Sequence, residues 1–269
     1  MKTIPLFWWD ERKFLHKERE NYGDMLSRYL VQKISGKNVK FVHPKKQKWF
    51  KRDKKHFVTI GSILQHATRH SIVWGSGIIS KEYVIAEADF RAVRGPQTRK
   101  HLLNLGYHCP EVYGDPALLL PEYFKPEVQK KYEIGIIPHY NDFKEISEKY
   151  KEVQGVRVID LMTLDIEKTT IEILECENII SSSLHGVVIP HAYRIPAIWV
   201  EFSDRIFGDG IKYQDYYESV EIFDFKAPFL SEKSDTMELK ALFEEKEVLP
   251  EKDIIKKLQE GLMKVCPFK

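Results

Sequence analysis

The stretch NIISSSLHGVVIPHAYRIPAIWV, residues 178–200, places three hydroxyls and an imidazole at one strand-to-helix junction. An apolar run ends in Ser181, Ser182 and Ser183, and a helix begins near Leu184 and His185, with Gly186 next. Free backbone N–H groups and the positive end of a helix dipole meet at such a junction, with hydroxyl donors beside them. That makes an anion site into which His185 projects. The same residues suit plain N-capping, and a histidine at a helix start also serves structure, so the local pattern leaves both readings open. Three more loops follow strand-like runs, where open α/β sheets hold ligands. They are NYGD at residues 21–24, GSG at residues 75–77 and VRGPQT at residues 93–98.

The elements that must carry these loops are legible as an alternation. Residues 4–9 read as a strand, and NYGDMLSRYLVQKI reads as a helix with Met25, Leu26, Tyr29, Leu30 and Ile34 on one face. VKFV, FVTIGSIL and SIVWGSG are strand-sized runs, and DFRAVRGPQTRKHLLNLG is a strand, turn and helix stopped by Gly106. Residues 114–131, GDPALLLPEYFKPEVQKK, are rich in proline and charge and read as a linker. After them YEIGIIPH, GVRVIDL, NIISSS and PAIWVEF read as strands separated by helices. This predicts an α/β fold of two Rossmann-like domains facing a cleft, residues 1–125 and 126–269. A last helix over residues 251–265, with Ile254, Ile255, Leu258, Leu262 and Val265 at helical spacing, can pack on either.

Composition sets outer bounds. With 43% hydrophobic and 30% charged residues in 269, the chain is a globular protein and not a disordered one. Cys109, Cys176 and Cys266 lie far apart with no CxxC pair, which favours a reducing compartment over a disulfide framework or zinc ribbon. The apolar run at the N-terminus is too short for a signal peptide, and no run approaches the ~20 apolar residues of a spanning helix. A soluble, cytoplasmic protein is expected.

The ordered set NYGD, VWGSG, AVRGPQT, VYGDPALLL, SSSLHGVVIPHAYRIPAIWVEF and IKYQDYY runs from about Asn21 to Tyr217. It resembles the polysaccharide pyruvyl transferase family, in the branch that serves bacterial exopolysaccharide and capsule. The resemblance implies a GT-B-like pair of domains that moves pyruvate from phosphoenolpyruvate onto two sugar hydroxyls as a cyclic ketal, without metal or further cofactor. Many members carry Arg two positions before the motif histidine, where this chain has Ser183. On this resemblance His185 is the candidate general acid for C3 of the donor, since an imidazolium beside two anions keeps its proton at neutral pH. Ser182, Ser183, Leu184 and Gly186 form the anion cradle.

Lys212 is a candidate cation for the donor, or else a solvated lysine, with Tyr213 and Tyr217 lining the pocket. His139 ends the run YEIGIIPH and binds donor or acceptor, or is structural. Arg94 and the loop Gly75, Ser76 and Gly77 take binding roles by family position, although an arginine there can also pair with a nearby carboxylate. From the other domain Asn21, Trp8, Trp9 and Asp24 face the cleft. The aromatics stack on sugar, and Asp24 either accepts a hydroxyl proton or caps its helix. Asp115, in GDPA, is read as holding a turn.

The net charge of +2 conceals a basic segment, residues 37–56, with nine Lys or Arg against Asp53 alone. Trp49 and Phe50 interleave with these cations, which suits either a solvated loop or contact with an anionic membrane surface presenting a lipid-linked sugar acceptor. Nucleic acid is disfavoured, because no stacking-platform fold accompanies the charge. His66 and His70 have i,i+4 spacing but lack the glutamate of a zinc protease motif. Two rivals share the cleft: a GT-B glycosyltransferase using a nucleotide sugar, and a non-catalytic carbohydrate-binding relic.

Overall fold

The computed structural model describes residues 3–48, 50, 54–205, 208–230, 232–244 and 248–269. Strands are β1 (Ile4–Phe7), β2 (Glu20–Asn21), β3 (Val39–Phe41), β4 (His56–Val58), β5 (Ser71–Ser76), β6 (Asp89–Val93), β7 (Tyr132–Ile137), β8 (Val156–Val158), β9 (Met162–Thr163), β10 (Cys176–Ser181) and β11 (Ala197–Trp199). Helices are α1 (Glu11–Leu15), α2 (Tyr22–Ser35), α3 (Pro96–Asn104), α4 (Leu120–Tyr123), α5 (Phe143–Tyr150), α6 (Ile166–Leu174), α7 (His185–Ala192), α8 (Ile211–Ser219), α9 (Thr236–Ala241) and α10 (Lys252–Lys264). Among the described residues no helix is long and apolar enough to cross a membrane.

The result is a mixed α/β protein with two parallel sheets, ordered β3-β1-β4-β5-β6 and β11-β10-β7-β8. Parallel pairing forces crossover connections, which carry helices over the sheet faces and bury the strands. The burial explains why β7 and β10 each end in consecutive buried residues, 134–137 and 179–181, rather than in an alternation. A short antiparallel pair, β2 with β9, ties the start of α2 to the second half of the chain.

The largest apolar cluster belongs to neither sheet alone. Tyr22, Leu26 and Leu30 of α2 meet Ala117 and Leu118, Ile166 and Ile173 of α6, the apolar residues of α7, and Tyr213, Tyr216 and Tyr217 of α8. Helix α7 is buried on every side, as its sequence HGVVIPHA requires of a helix with no polar face.

One expectation changes here, and one that stood open is narrowed. The first part of the presumed linker is core: Pro116 to Leu119 form a buried 3-10 turn leading into α4. The apolar run ALLL outweighs the flanking prolines and charges, because four consecutive apolar side chains gain more from burial than a solvated connector allows. The last helix, α10, packs on the shared cluster through Ile255 and Leu258 and on the first sheet through its end. Leu262 and Phe268 join Ile4, Leu6, Trp8 and Trp74, and the Trp74 indole N–H donates to the Leu262 carbonyl at 2.9 Å.

Candidate active site

Strands β7 and β10 end side by side, with Ser181 opposite Ile137. The three serines that follow have different partners. Ser181 Oγ donates to the Ile137 carbonyl at 2.8 Å and accepts from the Ser183 N–H at 2.9 Å. Ser182 Oγ accepts from the His139 N–H at 2.8 Å, and its carbonyl accepts from the Tyr213 hydroxyl at 2.7 Å. Both therefore lock the two strand-end loops together, and only Ser183 faces the cavity. Gly186 is packed so closely that a Cβ would overlap Ser181 Oγ, so it lets α7 begin directly on the sheet edge. The helix starts after Leu184 with no side-chain cap, which leaves its first turn open toward the cavity.

His185, the first residue of α7, is buried between two other elements. On one side lies Gly23 in the first turn of α2, where any Cβ would overlap the Nδ1 of the imidazole. On the other lies Asp115, whose Oδ2 is 3.4 Å from Nε2. Asn21 caps α2, accepting from the Gly23 N–H at 3.0 Å, so Asp24 is free of the capping role. Burial, together with Glu11 and Glu20, holds the Asp24 carboxyl well above the usual carboxylate range, while Lys212 opposes them. Burial and the nearby Arg94 push the Lys212 ammonium down to about 8, with Asp24 acting the other way.

These residues surround a cavity of about 470 Å³. Of the sequence-predicted residues, Trp9, Asn21, Asp24, His139, Ser183, Leu184, His185 and Lys212 line it. The others do not, each for a packing reason. Trp8 points to the opposite side of its strand and sits edge-on to Phe41 in the core. Tyr213 and Tyr217 are buried, Tyr213 stacked on Trp199 at 4.1 Å and Tyr217 accepting from the Trp199 N–H at 3.0 Å.

Arg94 is fully buried and paired with Asp215 at 3.0 Å. Its other nitrogens donate to Ser62 Oγ at 2.6 Å and the Ile78 carbonyl at 2.8 Å. Thr98 donates to both Asp215 oxygens, through Oγ1 at 2.6 Å and its N–H at 2.8 Å. The GSG loop serves this frame, with Gly77 packed on the Arg94 guanidinium and Gly75 on Pro116, while Ser76 Oγ donates to the Gly61 carbonyl. Arg94 therefore binds the protein rather than a ligand, and losing either partner of such a pair costs about 3–5 kcal/mol.

Several lining residues carried no sequence signal: Glu11, Leu15, Ser62, Ile79, Tyr83 and Tyr140. Lys17 joins two of these lining residues, 2.9 Å from Glu11 and 3.7 Å above the Tyr140 ring. His66, set aside as a zinc ligand, forms an aromatic wall with Trp9 at 5.6 Å. Among the described residues no group of three His, Cys, Asp or Glu could hold a metal ion. Of the basic segment, Lys45, Lys46, Lys48 and Phe50 are exposed, while Trp49, Lys51, Arg52 and Asp53 lie outside the described residues.

Residues 21–204 match the family model described as polysaccharide pyruvyl transferase. The chain is also 30% identical over 203 residues to a protein described as uncharacterized, L143 of Acanthamoeba polyphaga mimivirus, a match covering 73% of this chain and 69% of that one. The family match spans Gly23, Asp24, Arg94, Asp115, His139 and His185, whereas Lys212 lies beyond it.

Three histidines other than His185 are neutral by construction. Burial first, then Lys212 and Lys17, lowers His139 from 6.5 to about 4. Burial, then Lys45 and His43, does the same for His66, and burial alone dominates at His191. The unfolded chain therefore takes up protons near pH 6.5 that the folded protein refuses until about pH 4, so stability falls as pH drops through that window. Imidazole NMR titration is expected to place these three midpoints near 4, and midpoints near 6.5 would contradict the burial argument.

Proposed function

The chain belongs to the polysaccharide pyruvyl transferase family, and we propose that it moves pyruvate from phosphoenolpyruvate to two hydroxyls of one sugar, forming a cyclic ketal and releasing phosphate. One observation carries this reading. A single cavity is lined by the imidazole that opens α7 with an ammonium from α8, and by a carboxylate from α2 whose proton affinity is raised. The first group suits a dianionic donor with a carbon to protonate. The second suits a hydroxyl that must lose its proton.

The chemistry then follows in order. Lys212, Ser183 and the first N–H groups of α7 hold the phosphate and carboxylate of the donor, Lys212 standing in for the arginine that many members carry at the position of Ser183. His139, neutral and fixed by Ser182, orients the donor from the β7 side. His185 protonates C3, and positive charge develops at C2. One sugar hydroxyl attacks C2 and gives its proton to Asp24. Phosphate departs with the C2–O bond, and the neighbouring hydroxyl closes the ring, its proton leaving with the phosphate. No additional cofactor enters this balance.

The acceptor stacks on Trp9 and Tyr83, a hexose such as galactose in a lipid-linked repeat unit being the natural occupant. Residues 1–125 then act as the acceptor domain and residues 126–269 as the donor domain of a GT-B-like pair. The exposed lysines 45, 46 and 48 with Phe50 bring the cleft to an anionic membrane surface, at the cytoplasmic face where such acceptors are assembled.

Phosphate release from phosphoenolpyruvate and a pyruvyl mass gain on the sugar test the reaction. His185→Ala is expected to lower kcat by roughly 10²–10⁴-fold. Lys212→Met is expected to raise KM for phosphoenolpyruvate about tenfold or more, and kcat/KM in the parent protein to decline as pH passes about 8. Phosphate release that survives His185→Ala removes that residue as the acid. A protein that ignores phosphoenolpyruvate and consumes a nucleotide sugar is a glycosyltransferase instead.

The membrane contact has its own test. Replacing Lys45, Lys46 and Lys48 with glutamate is expected to abolish sedimentation with phosphatidylserine-containing vesicles, and unchanged sedimentation would remove the segment from that role.

A further inference from the structure

Asp115 is fully buried at the start of the 3-10 turn Pro116–Leu119. Its Oδ1 caps that turn, accepting from the Ala117 N–H at 3.0 Å. Its Oδ2 is sealed from solvent and makes no hydrogen bond. The atom facing it at 3.4 Å, His185 Nε2, is likewise sealed and without a hydrogen bond. A buried carboxylate oxygen and a buried ring nitrogen each left unpaired would cost free energy at both ends. Two such groups facing each other are better understood as one interaction, slightly long in the unliganded protein and shortened when substrate fills the cavity.

The turn cap uses only one oxygen, so it does not explain why a carboxylate stands here. An asparagine would cap the turn equally well. The opposite edge of the imidazole has a different environment, because Gly23 presents no side chain to Nδ1.

We propose that Asp115 is the positioning residue for His185: its Oδ2 holds the proton on Nε2, which makes Nδ1 the nitrogen that carries and delivers the catalytic proton. This rests on the pyruvyl-transfer reading above. In the step concerned, the Nδ1–H bond breaks and its electron pair stays on the ring. The proton joins C3 of phosphoenolpyruvate through the pair of the C2=C3 bond, and charge develops at C2. The imidazole is left neutral with its remaining proton on Nε2, still held by Asp115. The charged or titratable groups that share this environment are Glu11 from α1, Asp24 from α2, His139 after β7, and Lys212 and Tyr216 from α8. Of these, Tyr216 feels the Asp115 charge, which adds to the upward push of burial and Tyr217, so Asp115→Asn lessens that push.

The test is Asp115→Asn, which keeps the cap at Ala117 and replaces the acceptor facing Nε2 with an amide donor. Nitrogen-15 spectra of the unliganded wild-type protein, followed to the alkaline end of the titration, are expected to show the remaining His185 proton on Nε2, and those of the variant to show it on Nδ1. The variant is expected to lose roughly 10²–10⁴-fold in kcat, the range spanned by removing or misorienting a general acid, with KM for phosphoenolpyruvate within about threefold. The change of tautomer is one that a mere turn cap would not cause. Adding Asp115→Asn to His185→Ala is expected to cost nothing more, because the two act as a unit.

A wild-type spectrum with the proton on Nδ1 overturns the proposal without any variant, and so does wild-type kcat in a folded Asp115→Asn protein. If wild-type protein does not turn over phosphoenolpyruvate at all, the pyruvyl-transfer reading fails, whereas the tautomer measurement still reads the Asp115–His185 contact by itself.

Discussion

The imidazole of His185 exists where it does because residue 23 has no side chain. Helix α2 comes from the first half of the chain and α7 from the second, and their first turns meet with only hydrogen at Gly23 between them and the ring. Such an approach must be held by something larger than the contact itself. The shared apolar cluster does this, pressing α2, the Pro116–Leu119 turn, α6, α7 and α8 into one packed body. Close-packed interiors transmit small displacements, so the separation of Asn21 and Asp24 from His185 depends on residues that do not line the cavity, such as Leu26 and Val188.

A second frame works by charge. Arg94 and Asp215 are both fully buried, and every polar contact between them and their neighbours joins a different segment: Ser62, Ile78, Thr98 and α8 itself. Asp215 lies one helical turn beyond Lys212, so the pair anchors the helix that carries Lys212 as well as the chain at Ile78, next to Ile79 of the cavity lining. The Arg94 charge also reaches Lys212 and lowers its proton affinity, so the frame tunes the group it positions.

Much of this was legible in the sequence, and the failures have physical causes. The junction after NIISSS and the helix at His185 follow from an apolar run, small residues and an apolar helix. The division of labour among Ser181, Ser182 and Ser183 does not, because their partners Ile137 and His139 sit on a strand over 40 residues away. Trp8 and Trp9 are adjacent and so point to opposite sides of an extended chain, one into the core and one into the cavity. The sequence alone does not say which. On α8 the periodicity did hold part of the answer: Tyr213, Tyr216 and Tyr217 share a buried face, while Lys212, its ammonium 5.1 Å from the Tyr213 ring, reaches the cavity. For Arg94, family position points to a ligand and the residue type equally to a carboxylate; nothing local decides, because the partner, Asp215, is 121 positions away.

On this account the open end of α7 is where the donor binds, and the carboxylate of α2 is where the acceptor waits. A crystal structure with phosphoenolpyruvate soaked in, without acceptor, tests that most directly. The account predicts an anion held by Ser183, the first N–H groups of α7 and Lys212, with C3 of the donor facing the His185 ring. Donor bound instead at the separate surface groove lined by Tyr132, Arg157 and Lys168, or no donor bound at saturating concentration, would contradict it.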